Sequence, residues 1–223
     1  TKAVVVDENQ NILGRGITNP RSNYHTAAAI AKQEALVNSR FHLFREKLGS
    51  SGALNGALDG FINQLERDFR AEQYMEQLAD LEQTCLRSLA TARFGEGAAA
   101  VGPALAEVFR RLTAEAPSLF APGAKRKSDF FRDIAGSQYL ATGETVAKEA
   151  DIRYDFLLNV FDRSIIEVEN RVYADSIRRH LLAALERTFI ALPETTARRA
   201  QVEAPIKGIL DTELEETYVV GTG

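Results

Sequence analysis

The spacing of apolar and polar positions changes along the chain, and its first part has the pattern of two short strands. Ala3–Val6 are apolar and rich in β-forming residues, the polar run Asp7–Asn11 follows, and the stretch Ile12–Ile17 (ILGRGI) comes after it. Asp and Asn favour turns because their side chains bond nearby main-chain groups and tolerate a left-handed backbone. The pattern therefore predicts an antiparallel β-hairpin.

From His25 onward the apolar residues recur every three or four positions, which is the period of an amphipathic helix. The first stripe predicts a helix that ends at the glycine- and serine-rich residues 49–52. The second stripe shifts its phase near Arg70, which predicts one bent helix or two helices in tandem. The first stripe comprises Ile30, Val37, Phe41, Phe44 and Leu48; the second comprises Leu58, Phe61, Ile62, Leu65 and Phe69, then Leu78, Leu81, Cys85 and Leu89.

Glycines and prolines divide the middle of the chain. Gly95–Gly102 predicts a loop, and Pro103 suits the first turn of a helix that runs to about Ala116. Ala116–Asp129 contains two prolines and a short basic cluster, and it predicts a second loop. A short helix is then expected around Phe130–Tyr139.

A long helical pattern follows, from about Glu144 to Leu192, and Pro193 closes it. Two apolar stripes lie within this pattern, and the second is rotated relative to the first. The members of the first are Leu158, Phe161, Ile165, Val168 and Val172, and those of the second are Ile177, Leu181, Leu185 and Phe189.

The tail predicts a helix near Ile206–Leu214 and a last strand at Thr217–Val220, before Gly221–Gly223. A lone two-stranded hairpin is only marginally stable in water. We therefore expect the hairpin and the last strand to belong to one sheet, with the helices inserted between them. The expected organisation is a hairpin at 1–24, a helical region at 25–215, mostly insertion, and a resumed core at 216–223.

Composition narrows the function classes. The chain is 45% hydrophobic and 26% charged, with a net charge of -4, which does not favour a nucleic-acid surface. Its apolar runs fall short of the roughly 20 residues that a membrane span needs. Its one cysteine excludes an internal disulfide and is compatible with a reducing compartment. We expect a cytoplasmic protein that binds neither membrane nor nucleic acid.

The polar residues give little sign of chemistry. His25, His42 and His180 lie far apart and without a Glu-x-x-His pair, so structural or surface roles are favoured. Cys85 falls on an apolar stripe, which favours a buried, unreactive thiol. The basic pairs and triplets, at residues 125–127, 178–179 and 198–199, are flanked by acids and indicate solvated faces. Neither a Gly-x-x-x-x-Gly-Lys-Ser/Thr loop nor a Gly-x-Gly-x-x-Gly motif is present.

The opening stretch is more specific. "TKAVVVDENQNILGRGITNPRSNYHTAAAIAKQEAL" (residues 1–36) resembles the ATPase subunits of benzoyl-CoA reductase and, more distantly, the activators of 2-hydroxyacyl-CoA dehydratases. These proteins have the acetate kinase/sugar kinase/actin fold. In that family a Gly-Ser-Thr-Thr run leads into Thr-Lys and the first strand, which match Thr1, Lys2 and Ala3–Val6. Gln10 stands where the family commonly has Gly. "YVVGTG" (residues 218–223) looks like the strand and turn where the family's core resumes.

The resemblance implies a mainly α-helical fragment of an actin-like ATPase domain, with a hairpin, one further strand and a long helical insertion. It implies ATP, Mg²⁺ and a [4Fe-4S] cluster shared between two ATPase subunits. ATP hydrolysis then drives low-potential electrons from a ferredoxin-type donor to the catalytic subunits, which reduce the ring of benzoyl-CoA in anaerobic aromatic degradation. Breaking aromaticity demands such a donor. Exposed parts of the insertion are expected to contact the catalytic subunits.

The chain also departs from the family pattern. The glycine-rich phosphate turn, the second phosphate loop, the adenosine loop and the cluster cysteines do not occur within it. Only Thr1 and Lys2 match a phosphate-site motif, as its last residues, so the chain is expected to begin within a domain. By itself it is expected neither to hydrolyse ATP nor to bind the cluster.

Two other interpretations stay open. A stand-alone helical interaction module, with an incidental hairpin and no enzymatic activity, predicts a compact monomer with its apolar stripes internal. An actin-fold small-molecule kinase fits the hairpin but not the loop at Ile17–Ala29. In contrast to the helical module, the reductase interpretation predicts unpaired sheet edges at Ala3–Val6 and Thr217–Val220, and hence dimerisation or marginal stability.

Overall fold

A computed structural model describes residues 1–18, 24–54, 56–91 and 98–212. The fold is mainly helical (78%), with a small two-stranded antiparallel sheet, as the sequence predicts. The described elements are β1 (Lys2–Val6), β2 (Ile12–Ile17), α1 (Tyr24–Ser51), α2 (Leu58–Thr91), α3 (Ala98–Leu119), α4 (Phe131–Glu149), α5 (Tyr154–Glu169), α6 (Ile177–Ala191) and α7 (Arg199–Asp211), with short 3₁₀ helices at Ala174–Ser176 and Pro193–Arg198.

The predicted hairpin is confirmed. β1 and β2 pair with Lys2 opposite Ile17 and Val5 opposite Gly14, and a register shift between Val5 and Val6 leads into the turn. Side chains alternate across the pleat, so Ala3 and Val5 are buried while Val4 is exposed. One face of the hairpin is therefore covered and the other is open.

Helix α1 covers the inner face of the hairpin, and two glycines allow the close approach. Ala3 and Val5 form a small apolar cluster with Ala31 and Ala35. A Cβ at Gly14 would overlap the main chain at Ala35, and one at Gly16 would overlap the carbonyl of Ala31. The Gly-x-Gly of β2 is thus a packing requirement, because only glycine lets the strand lie directly on the helix backbone.

The contacts divide the chain into two compact units. The first comprises Thr1–Phe69 and Val172–Gly223, and the second comprises Arg70–Arg171. In the first unit, α1, the start of α2, α6 and α7 enclose a core rich in phenylalanine. Its largest buried members are Phe41, Phe44, Leu48, Phe61, Leu65, Phe69, Leu181, Leu185 and Phe189.

The second unit has its own core, built from the rest of α2 and from α3, α4 and α5. Tyr139 lies at its centre, stacked on Phe161 at 4.3 Å between ring centroids. The hydroxyl of Tyr139 donates a hydrogen bond of 3.0 Å to the carbonyl of Leu157, so this buried polar group is satisfied.

The phase shift near Arg70 marks the boundary between the two units. α2 is one continuous helix, and its stripe up to Phe69 belongs to the first core, whereas Leu78, Leu81 and Cys85 belong to the second. The phase shift in the sequence is therefore the point along α2 where the buried residues of one core give way to those of the other.

Two predicted boundaries of α3 are wrong. The helix begins at Ala98, five residues before Pro103, and continues through Pro117 to Leu119. Burial explains both extensions: Val101 anchors the first turn, while Ala116 and Phe120 are buried on either side of Pro117. Tertiary packing here outweighs the helix-breaking tendency of proline.

The long helical pattern from Glu144 to Leu192 is not continuous in the structure: it comprises the end of α4, then α5 and α6. The helix expected around Phe130–Tyr139 is present, but it continues to Glu149 as α4. α4 ends in a Schellman motif: the N–H of Ile152 bonds the carbonyl of Ala147 at 3.0 Å, and Asp151 takes the left-handed conformation at φ 52°. The rotated stripe that follows Val172 is the sequence signal of the second break.

The tail begins with α7, which starts at Arg199 and contains Pro205. The predicted strand Thr217–Val220 and the turn Gly221–Gly223 lie outside the described residues. Of the helices in the described ranges, none is long and apolar enough to cross a membrane.

We predict that Gly16→Ala destabilises the first unit by about 3 kcal/mol, because the new methyl group overlaps the α1 backbone rather than a flexible side chain. Gly60→Ala, in α2, is the matched control: a Cβ there meets no atom within 4 Å. Urea denaturation of both variants measures the difference. Equal stability of the two variants would show that the strand and helix are not held at this distance.

Candidate functional site at the open end of the hairpin

Thr1 and Lys2, the residues that match a phosphate-site motif, lie at the open end of the hairpin. The N–H of Thr18 donates a hydrogen bond of 3.1 Å to the carbonyl of Thr1, which holds the start of β1 beside the end of β2. Thr1 is partly exposed, Lys2 is exposed and Thr18 is buried. The main chain is therefore ordered here while the ammonium group of Lys2 remains accessible.

The outer face of the hairpin combines cations with half-exposed aliphatic side chains. Register places Lys2 opposite Ile17 and Val4 opposite Arg15 on this face. Neither Lys2 nor Arg15 forms an ion pair within the described part of the chain. The aliphatic members are Val4, Val6, Ile12 and Ile17, each between 43% and 54% exposed.

The turn at the other end of the hairpin is organised by Asp7. Its carboxylate accepts hydrogen bonds from the main-chain N–H of Asn9 at 2.9 Å and of Asn11 at 2.7 Å, and from the side-chain amide of Asn11 at 2.9 Å. These bonds, the Asn11 amide foremost, lower the pKa of Asp7. The carboxylate form thus holds the turn closed.

Gln10 adopts φ 67°, the left-handed region that a residue with a Cβ enters at a cost. This is the position where the resembling family commonly has glycine. The geometry gives that preference a physical reason, since the turn needs a positive φ whichever residue occupies it.

Two side chains of α1, two residues apart along the helix, tie it to β2 and to α7. The Asn38 amide donates a 2.7 Å hydrogen bond to the carbonyl of Arg15 in β2. The Arg40 guanidinium donates one of 2.6 Å to the carbonyl of Ile209, in the last turn of α7. Sequence reasoning missed both residues, because polar side chains on a helix usually face solvent and nothing in their spacing marks a main-chain acceptor nearby.

The other candidates for chemistry occupy different environments. His25 and His42 are exposed, and His180 is buried in the first unit with its ring 6.3 Å from that of Phe69. Cys85 is completely buried in the second unit, as its stripe predicts, and burial raises its pKa to about 12. No group of three His, Cys, Asp or Glu side chains able to hold a metal occurs among the described residues.

Members of each of the three basic runs have structural partners within their own unit. Arg126 packs over Phe120 and bonds the carbonyl of Leu119 at 2.8 Å. Arg178 pairs with Asp211 at 2.5 Å. Arg199 pairs with Glu186 and Glu203. Ion pairing on the protein's own surface accounts for these charges, in line with the expectation of solvated faces.

Comparison of the chain with protein-family models, with curated proteins and with solved structures finds no match.

We predict that Gln10→Gly stabilises the first unit by about 1 kcal/mol, because it removes the cost of a left-handed non-glycine residue. Asn9→Gly is the control, since Asn9 does not have a positive φ. Glycine there only increases the backbone entropy of the unfolded chain, which lowers the stability. Thermal denaturation of the two variants gives the comparison. A stabilising Asn9→Gly together with a neutral Gln10→Gly would contradict the assigned turn geometry.

The Asp7 turn also predicts a pH dependence. Because the folded-state pKa of Asp7 is lowered, its contribution to stability is present above its ordinary pKa of about 3.9 and is lost as the pH falls through the folded value. Asp7→Asn is therefore expected to destabilise the hairpin at pH 7 and to have little effect at pH 2. Amide exchange of Asn9 and Asn11 measures this, with Glu8→Gln as control. An equal effect of Asp7→Asn at both pH values would contradict it.

Proposed function

We propose that this chain is part of an ATP-hydrolysing, electron-activating subunit of a benzoyl-CoA reductase, and that its hairpin and α1 belong to the nucleotide-binding core of that subunit. The proposal rests on the resemblance of residues 1–36 to that family. The helices from α2 onward are then largely an insertion into the core.

The observation that carries the proposal is the fit between that stretch and the hairpin geometry. Within that stretch the hairpin is sterically demanding at the left-handed Gln10 and at the tightly packed Gly14 and Gly16. A hairpin that is incidental to a helical module has no need for so close a contact with its first helix. The proposal is therefore supported by the packing of the hairpin as well as by the sequence resemblance.

In this proposal Thr1 and Lys2 are the last residues of a phosphate-binding turn. A hydroxyl and main-chain N–H groups at the start of a strand can cradle phosphate oxygens. The Thr1 hydroxyl oxygen would be the group here able to ligate Mg²⁺, which prefers oxygen ligands. Thr1 is partly exposed and Lys2 is exposed, and the Lys2 ammonium forms no ion pair with another described residue, which is the right character for that role. A second ATPase subunit, a shared [4Fe-4S] cluster, the catalytic subunits and a ferredoxin-type donor complete the proposed machine.

The test is ATP turnover by the assembled reductase. We predict that Thr1→Val, which removes only the hydroxyl, lowers turnover about 100-fold, the usual effect of deleting one transition-state hydrogen-bond donor. Lys47→Ala, an exposed substitution on α1, is the control and should leave turnover unchanged. Full activity of the Thr1→Val enzyme would remove Thr1 from the site.

The chain alone supplies a separate check, because it does not contain the other phosphate and adenosine loops of the family. We expect the purified chain to show neither ATP turnover nor bound iron and sulfide. ATP turnover by the chain alone would contradict the assignment of Thr1 and Lys2 to only one part of the nucleotide site. In the reading frame, an upstream Asp-x-Gly-Ser-Thr and a downstream Tyr-Gly followed by cysteine-containing glycine loops are expected.

The second unit is the proposed contact with the catalytic subunits. Deleting Gly95–Asp129 cannot test this cleanly, because α3 places Leu105, Val108 and Phe109 in the core of the unit. Ile166→Asp on α5 is sharper, since Ile166 is 52% exposed and its loss leaves the core intact. Reduced assembly with unchanged thermal stability is the expected result.

A helical interaction module without enzymatic activity is the second candidate. It is favoured by the two helix-built cores, each of which buries its apolar stripe without help from the hairpin. It predicts that ATP does not change the unfolding temperature of the purified chain or of any assembly that contains it.

A further inference from the structure

The loop between α3 and α4, residues 120–130, has neither helical nor strand structure. Its first part is exposed over residues 121–125, and Gly123 takes φ 81° with no atom close to the position of a Cβ. Within the described part of the chain, the main chain of residues 125–129 forms no hydrogen bond with other main-chain groups. Such a segment can be drawn into an extended conformation at little cost in free energy.

Three cations stand directly before Ser128 in this loop. Arg126 is turned inward: its guanidinium lies 4.6 Å from the ring centre of Phe120 and also bonds the carbonyl of the residue before it. Lys125 and Lys127 are exposed, and neither forms an ion pair with another described residue. Ion pairing on the protein's own surface therefore leaves these two ammonium groups unexplained.

The Ser128 hydroxyl organises the start of α4. Its oxygen accepts a hydrogen bond of 3.1 Å from the N–H of Phe130, and the hydroxyl donates one of 2.7 Å to the carboxylate of Asp133. Phe131, the first residue of α4, packs against Tyr74 in the core of the second unit, with 5.6 Å between the ring centroids. A change at this hydroxyl therefore acts on residues next to a core.

The charge pattern before Ser128 is of the kind by which protein kinases select their substrates. A kinase with an acidic substrate groove favours a serine that follows cations, because opposite charges bring the two surfaces together in the right register. Ser128 meets this condition in a loop that can be extended. Ser118 is exposed too, but it lies in α3 and follows Ala-Glu-Ala-Pro, so it provides an internal comparison.

We propose that Ser128 is a phosphorylation site for a protein kinase that recognises Lys125 and Lys127. In the reaction the Ser128 oxygen forms a bond to the γ-phosphorus of ATP, and the bond from that phosphorus to the β–γ bridging oxygen breaks. ADP leaves, and the hydroxyl proton passes to the base of the kinase. This inference does not depend on the proposed reductase function or on nucleotide binding by the chain itself.

The phosphate would reverse the contact that holds the start of α4. A phosphoserine has no hydroxyl proton to donate and carries about 1.5 to 2 negative charges at pH 7. The hydrogen bond between Ser128 and Asp133 is then replaced by repulsion between two anions. Phe130, the residue before α4, provides no side-chain cap that could replace this contact. We therefore expect phosphorylation to loosen the first turn of α4.

The first experiment treats the folded full chain with ATP and a kinase that selects serine after basic residues, and locates the phosphate by peptide mass spectrometry. We expect phosphate on Ser128 and none on Ser118. Changing Lys125 and Lys127 together to Gln should slow the initial rate at Ser128 about tenfold or more. The control, Lys47→Gln with Lys207→Gln, makes the same change of charge at exposed positions elsewhere and should keep the rate.

The second experiment follows amide exchange by NMR in the phosphorylated and the unmodified chain. The Ile134 N–H, which bonds the carbonyl of Phe130 at 3.1 Å, should exchange about tenfold faster after phosphorylation, while amides of α5 keep their rates. Asp133→Asn removes one of the two anions and should abolish most of this acceleration.

Three results would overturn the phosphorylation site: an unmodified Ser128 in the full chain, phosphate on Ser118 in its place, or a rate at Ser128 that does not depend on the two lysines. An Ile134 exchange rate that phosphorylation leaves unchanged would overturn the predicted effect on α4.

Discussion

The distance between β2 and α1 is the constraint on which the first unit depends. Gly14 and Gly16 let the strand lie directly on the helix backbone, and Ala31 and Ala35 keep the opposing surface small. This contact fixes the plane of the hairpin, and with it the position of Thr1 and Lys2 at one end and of the Asp7 turn at the other. α1 also connects the hairpin to the rest of the unit, because the Asn38 side chain is hydrogen-bonded to β2 and the Arg40 side chain to the end of α7.

The helical part of the chain is organised by a different principle. Two cores form, one on each part of α2, and the chain leaves the first core at Phe69 and returns to it at Val172. The second unit is thus one contiguous stretch, Arg70–Arg171, with a core of its own.

The sequence predicted the elements better than their limits. Alternation predicted the hairpin, and helical period predicted the α1 and α2 stripes, because both signals follow from burial of one face. Prolines misled: Pro103 and Pro117 lie within α3, where buried neighbours hold the flanking turns. The end of α4 was missed because Asp151, rather than glycine, occupies the left-handed position. The sequence pattern does not show where such helices end, because residues distant in the chain pack against the flanking turns.

For the candidate site, the sequence predicted which residues would lie at the hairpin end but not what holds them. The hydrogen bond from Thr18 to Thr1 follows from the ladder, whereas those of Asn38 and Arg40 depend on how α1, β2 and α7 meet in space. A polar side chain on a helix can link two elements only when an accepting main-chain carbonyl of the other element lies within hydrogen-bond distance. One sequence without the fold does not contain that information.

The burial of Cys85 has a practical consequence. With its pKa raised to about 12 and no exposed surface, the one thiol of the chain stays protonated at neutral pH and out of reach of alkylating reagents. A cysteine introduced anywhere on the surface is then the single reactive thiol. Fluorophores, spin labels or cross-linkers can be attached there without first removing the native residue, so distances within each unit become measurable on an otherwise unaltered protein.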